Sequence, residues 1–258
     1  MSRICVDTML PIARFIWCIA VARSQLSVNR EAILVVTKVS KYLGHGLYTI
    51  AEAAMYARVP PRTLARWLFG GTDRKPAIEP QFGRDERVVS FLDLVQSRAI
   101  REISFQYHVP LAKFQQAIKV AKRKYGLDYP FARKHCTYYH LAIKELVIQP
   151  PGSDDFVEVS GTHQGQLLFQ FTELSLQSLD FDADGLANNW RVYNDLVINP
   201  ALRFGEPLLK CGYSARTIWE SIRTEGGIDA AAQAYELSRD DVVSVYRFYV
   251  DYLGTAPA

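Results

Sequence analysis

Residues 46–71 read GLYTIAEAAMYARVPPRTLARWLFGG, and the local chemistry of this stretch decides the fold. Thr49 followed by Glu52 forms a T-x-x-E capping box, in which each side chain satisfies backbone donors at a helix start. Ile50, Ala53, Ala54 and Ala57 then repeat at helical spacing, and the small alanines allow a second helix to approach closely. Val59-Pro60-Pro61 stops that helix, because a residue before proline is pushed out of the α region. Pro61 can open the next helix, where its missing N–H costs nothing, and Gly70-Gly71 ends it. On the second helix Leu64, Trp67 and Leu68 share one face while Arg62, Thr63 and Arg66 share another. A short helix pinned by its apolar face and presenting two arginines and a hydroxyl suits the DNA major groove. There arginine pairs with guanine O6 and N7 or neutralises phosphate.

Downstream, residues 72–89 (TDRKPAIEPQFGRDERVV) are turn-rich, with Arg74-Lys75-Pro76 at the expected tip of a wing beside that helix. Ser90 with Asp93 caps a helix with Leu92, Val95, Ala99 and Ile103 inward. After His108-Val109-Pro110 comes another, with Leu111, Phe114, Ile118, Ala121 and Tyr125 inward and Lys113, Lys119, Lys122, Arg123 and Lys124 outward. Helix, turn, helix, wing, helix, helix over residues 46–135 resembles the winged helix-turn-helix DNA-binding domain of the MerR family. The resemblance implies a DNA-binding surface made of Arg62, Thr63, Arg66, Arg74 and Lys75. The cysteine ligands of the metal-sensing members of that family are missing, so metal sensing is not implied.

Charge follows the same division. Residues 46–135 hold 16 Lys/Arg against 8 Asp/Glu, whereas residues 136–258 hold 8 against 17. A basic block joined to an acidic one points to two jobs, the first with a polyanionic partner. Over the whole chain of 258 residues, 49 % hydrophobic and 22 % charged, the composition is that of an ordered protein. Four scattered cysteines (Cys5, Cys18, Cys136, Cys211), none in a CxxC pair, fit a reduced, cytoplasmic setting. The apolar run Phe15–Ala22 is far shorter than the ~20 residues of a membrane-spanning helix, and Arg14 and Pro11 interrupt its approach. Ala20-Val21-Ala22 imitates a signal cleavage site, but no membrane association is expected, and residues 1–45 are read as an N-terminal extension.

Between Tyr138 and about Asp180 the period changes. His140–Ile148, Phe156–Val159 and Gln166–Phe171 read as strands separated by turns at Pro150-Pro151-Gly152 and Gly161–Gly165, giving a small antiparallel sheet in a connector over 136–195. Asp180-Phe-Asp-Ala-Asp184-Gly185 imitates the start of a calcium loop, but Arg191 occupies the position of its bidentate glutamate, so an Asp-rich turn is expected. His135, Cys136 and His140 offer three zinc-type ligands without a fourth at finger-like spacing. No metal and no cofactor is expected, and no phosphate loop or catalytic motif marks an enzyme.

Residues 196–258 form a second distinctive block. Ser214 caps a helix carrying Ile218 and Ile222, Gly226-Gly227 ends it, and a short helix follows from Asp229 to about Tyr235. Ser238 with Asp241 opens a third, with Val242, Val245, Tyr246, Tyr249 and Leu253 at core spacing. The phrasing from Asn199-Pro200 through Gly205-Glu206-Pro207 to YSARTIWESIRTEGGIDAAAQAYELSRDDVVSVYRFY is similar to a small trihelical, homeodomain-like domain of bacterial VapB-type antitoxins. The fold class expected is therefore α+β, mainly α with a small antiparallel sheet. The resemblance implies an antitoxin that neutralises a PIN-like ribonuclease toxin and autorepresses its operon at operator DNA, as a homodimer or a toxin–antitoxin hetero-oligomer. A surface of Tyr213, Trp219, Tyr235, Tyr246, Phe248 and Tyr249 would hold the toxin, with Arg239 and Arg247 reaching its carboxylates. The alternative is a stand-alone transcription regulator without a toxin.

Overall fold

The four side-chain-capped helix starts read from sequence are built as their caps dictate. In a computed structural model of the chain, describing residues 41–71, 75–134, 137–140, 145–148, 157–158, 171–173 and 178–254, helix α1 spans Ile50–Ala57. The Thr49 hydroxyl accepts from the Glu52 N–H at 3.2 Å, and the Glu52 carboxylate accepts from the Thr49 N–H at 3.0 Å. The chain leaves α1 through Arg58 in the left-handed region (φ 56°) and enters α2, Pro61–Phe69, at its proline. Ser90 and Asp93 form a second, fully buried capping box at the head of α3, Phe91–Tyr107, and α4 follows over Leu111–Tyr125.

Helix α3 is buried far more completely than its sequence pattern suggested. Phe91, Leu94, Val95, Gln96, Ser97, Ala99, Ile100 and Ile103 are all covered, while Leu92 is only half-buried. A helix covered on several sides is the spine of a core, and the packing shows why. Helix α1 packs on it, and so does the short 3₁₀ turn Pro130–Ala132, whose Phe131 meets Phe114 of α4 edge-on at 5.5 Å.

The β structure differs from the expected single sheet. Thr137–His140 (β1) pairs antiparallel with Glu145–Ile148 (β2), His140 opposite Glu145, so residues 140–148 are not one continuous strand. With Val157–Glu158 (β3) and Phe171–Glu173 (β4) these make a sheet of order β3-β2-β1-β4. The expected strand residues 166–170 and the turns at 150–152 and 161–165 lie outside the described residues. A second antiparallel sheet, absent from the sequence reading, runs β5-β6-β7-β8 through Leu179–Phe181, Ala187–Tyr193, Leu196–Ile198 and Pro207–Leu208. The Asp-rich segment is the β5–β6 turn, with the Asp182 carboxylate accepting from the Asp184 and Leu186 N–H groups at 3.0 and 2.8 Å.

Three helices close the chain: α5 (Ala215–Thr224) capped by Ser214, α6 (Ile228–Ala234) and α7 (Arg239–Arg247), which continues as a π turn over Phe248–Tyr252. The architecture is α+β. The described residues from Gly44 onward form one compact unit, and the hydrophobic core runs from Ala53 and Leu64 through α3 to Val245 and Phe248. Residues 46–135 and 196–253 are thus joined by a shared core.

Candidate nucleic-acid interface and C-terminal face

Helix α2 displays the two-faced pattern its sequence requires. Leu64 and Leu68 are fully buried and Trp67 nearly so, while Arg62 and Arg66 are exposed and Thr63 is half-buried. Burying three large apolar side chains on a nine-residue helix contributes several kcal/mol, roughly 1.5–3 each, which holds the opposite face outward without help from the arginines themselves.

The loop after α2 is clamped to that helix rather than left free. The Ala77 and Ile78 N–H groups both donate to the Trp67 carbonyl, at 2.7 and 2.9 Å. Arg84 donates from Nε and Nη2 to the Phe69 carbonyl at 3.1 and 2.8 Å, capping the C-terminus of α2 with a cation, and the Arg87 guanidinium lies 5.5 Å from the centre of the Phe69 ring. Lys75 is exposed at the start of this clamped segment, and Arg74 lies outside the described residues. On α4, Lys119, Arg123 and Lys124 are exposed, whereas Lys122 is spent on Glu79 and Asp128 at 3.1 and 3.4 Å. Its hydrogen bond with Glu79 raises its pKa above the ordinary lysine value.

The C-terminal face is less open than the sequence suggested. Phe248 is fully buried and Tyr249 is 8 % exposed, so neither belongs to a surface patch. Helical spacing accounts for this: Phe248 follows the buried Val242 and Val245 on one face of the helix and packs onto Tyr56 of α1 at a ring separation of 6.4 Å. Trp219 is half-buried and stacked on Tyr249 at 4.8 Å and 15°, with Tyr246 alongside at 5.9 Å. Tyr213 is 38 % exposed and meets the half-buried Tyr235 edge-on at 5.5 Å. Arg239 is exposed but paired with Asp229 at 2.8 Å, and Arg247 is exposed.

Two features had escaped the sequence reading. Leu202 and Phe204 are exposed on a turn in which Arg203 and Phe204 both take positive φ (43° and 54°). The Leu47 N–H, donating to the Phe204 carbonyl at 2.8 Å, and the Tyr48 hydroxyl, donating to the Gly205 carbonyl at 2.9 Å, hold that turn. The second is Arg58, whose left-handed conformation is one that glycine usually supplies. Among the described residues no three His, Cys, Asp or Glu side chains group to hold a metal ion. His135 and Cys136 of the zinc-like pattern lie outside them. No described helix is long and apolar enough to cross a membrane.

No protein-family model matches the chain. Over 219 residues it is 26 % identical to "Putative antitoxin VapB45" of Mycobacterium tuberculosis (strain ATCC 25618 / H37Rv), covering 76 % of this chain and 90 % of that protein. The chain is similar to an antitoxin. The X-ray crystal structure of Rv2018 from Mycobacterium tuberculosis superposes with a TM-score of 0.53 at 23 % identity, over 77 % of this chain and 96 % of that one, a likeness of fold.

Proposed function

We propose that the protein is a non-enzymatic antitoxin of VapB type, which binds its operator DNA through α2 and captures a PIN-like ribonuclease toxin through its C-terminal face. The observation that carries the DNA-binding half is the exposure of Arg62 and Arg66 opposite the buried Leu64, Trp67 and Leu68. Arg62, Thr63 and Arg66 read base edges in the major groove, while Lys75 and the neighbouring Arg74 touch the flanking backbone or groove. As a homodimer the protein spans two half-sites about one helical turn apart.

Similarity to "Putative antitoxin VapB45" supports the toxin-binding half and favours it over a stand-alone regulator. Tyr213 and Arg247, exposed and close to α5–α7, anchor the toxin. Trp219, Tyr246 and Arg239 form the edge of that contact, because the two rings are half-buried against each other and Arg239 pairs with Asp229. Co-expression with the gene that adjoins its own, which this reading expects to encode a PIN-like toxin, tests it: growth is rescued and the two proteins co-purify. Unrelieved toxicity with no co-purification contradicts it.

A further inference from the structure

One face of α3 carries Arg98, Arg101, Glu102 and Phe105 at helical spacing, beside Arg58 from the α1–α2 turn and Tyr252 from the C-terminal π turn. The Arg58 guanidinium lies over the Tyr252 ring at 5.2 Å, and Arg101 over the Phe105 ring at 5.2 Å. Arg98 pairs with Glu102, and these two residues line a cavity of about 110 Å³ together with Tyr252. Three cations thus gather around one carboxylate. Among the described residues neither Arg58 nor Arg101 has an ion-pair partner. Burial, then the neighbouring Arg98 and Arg58, hold Arg101 below the usual guanidinium range. An aromatic face orients a guanidinium without neutralising it, leaving its N–H edge for an incoming anion. Phe105, 74 % exposed, stands outside the hydrophobic core and carries the Arg101 guanidinium on its ring.

We propose that Arg58 and Arg101 are a second phosphate-contact site for duplex DNA, continuous with α2 through the turn that leads to Arg62, and completed by Tyr252 of the C-terminal unit. The inference rests on the DNA-binding reading above. It makes the C-terminal unit a direct contributor to DNA binding, because the ring that positions Arg58 comes from the last turn of the chain. Charge excess with no hydrogen-bond code to read suits a phosphate backbone rather than bases.

The test uses the full chain, a mixed-sequence duplex of about three helical turns, and affinity measured across a salt series. R58Q/R101Q is expected to weaken binding at least about tenfold and to flatten the log–log salt slope by about two, one for each lost phosphate contact. R58K/R101K, which keeps both charges, is expected to recover the slope. Wild-type slope in R58Q/R101Q, alongside a clear defect in R62A/R66A, overturns this site while leaving DNA binding by α2 standing. A lysine pair that behaves like the glutamine pair also overturns it, since charge would not be what matters. Absence of duplex binding by the wild type overturns both readings. Tighter binding of a single-stranded RNA than of the duplex, lost in R58Q/R101Q, contradicts the choice of partner.

Discussion

Glu52 and Arg216 are bonded across 164 residues of sequence: the carboxylate that closes the capping box of α1 also accepts from Arg216 Nη2 of α5 at 2.8 Å. The head of α1 is therefore tied to the C-terminal helices by one side chain with two tasks. Nearby, Tyr252 donates its hydroxyl proton to the Tyr56 carbonyl at 3.3 Å, reinforcing the same junction.

Glu52→Ala, which removes both the capping acceptor and the partner of Arg216, is expected to lower stability by about 1 kcal/mol, the usual worth of a capping interaction. Arg216→Met costs less, about 0.5 kcal/mol, because the pair is half in water. Burial alone would raise the Glu52 pKa, but hydrogen bonds from Thr49 and Arg216 outweigh it and the net shift is downward. A depressed native pKa adds stability above the ordinary carboxylate value of 4.5, and that margin is lost as the pH falls below it. Urea unfolding of wild type and variant at pH 7 and near pH 3 checks this, with the gap narrowing in acid.

Asp93 behaves oppositely. Its carboxylate accepts from the Gln81 N–H at 3.1 Å and the Ser90 N–H at 3.1 Å, yet burial dominates and pushes its pKa up to about 6. A raised native pKa means the folded state holds the proton more tightly. Its contribution is full below the unfolded value of about 4 and declines as the pH rises through about 6. Carbon-detected NMR should place the Asp93 carboxyl midpoint near 6, and Asp93→Asn should remove the stability slope across that window. A midpoint near 4 contradicts the assignment.

Gly205 sits at φ +86° with the Tyr48 hydroxyl only 2.1 Å from where a Cβ would stand. Gly205→Ala should therefore destabilise by about 2–4 kcal/mol through strain and overpacking together. Chemical denaturation measures it directly. A loss under 0.5 kcal/mol would mean the turn is not held against Tyr48 as described.

Phe248 and Tyr213 separate core from surface on the C-terminal face. Phe248→Ala should cost about 3–5 kcal/mol, the price of an aromatic cavity. Tyr213→Ala should leave stability within about 0.5 kcal/mol while weakening toxin capture. Thermal unfolding and co-purification, run side by side, distinguish the two.

The helix starts were legible because their signals are local: Thr49 with Glu52, Ser90 with Asp93 and Ser214 before α5 each place a hydroxyl beside the orphan donors it satisfies. So was the split of α2 into an apolar face and an arginine face, since helical spacing alone sets it. The inward face of Phe248 obeys the same spacing, three residues after the buried Val245, but the aromatic-rich run from Tyr246 to Tyr252 masks which ring is inward. The reversal between His140 and Glu145 carries no glycine or proline to announce it. Strand β6, Ala187–Tyr193, hides behind two asparagines, and its alternation is interrupted where its pairing register shifts near Arg191. Arg58 was unreadable for a different reason: its role depends on Tyr252, which tertiary packing brings to it from nearly two hundred residues away.

A gel-shift titration of R62A/R66A against the upstream region of its own gene tests the central claim most directly. Loss of each bidentate base contact should cost about 1–3 kcal/mol, so the pair weakens binding by well over tenfold while circular dichroism stays unchanged. Wild-type affinity in that variant would contradict the account, because the only face of α2 free to meet DNA would then contribute nothing.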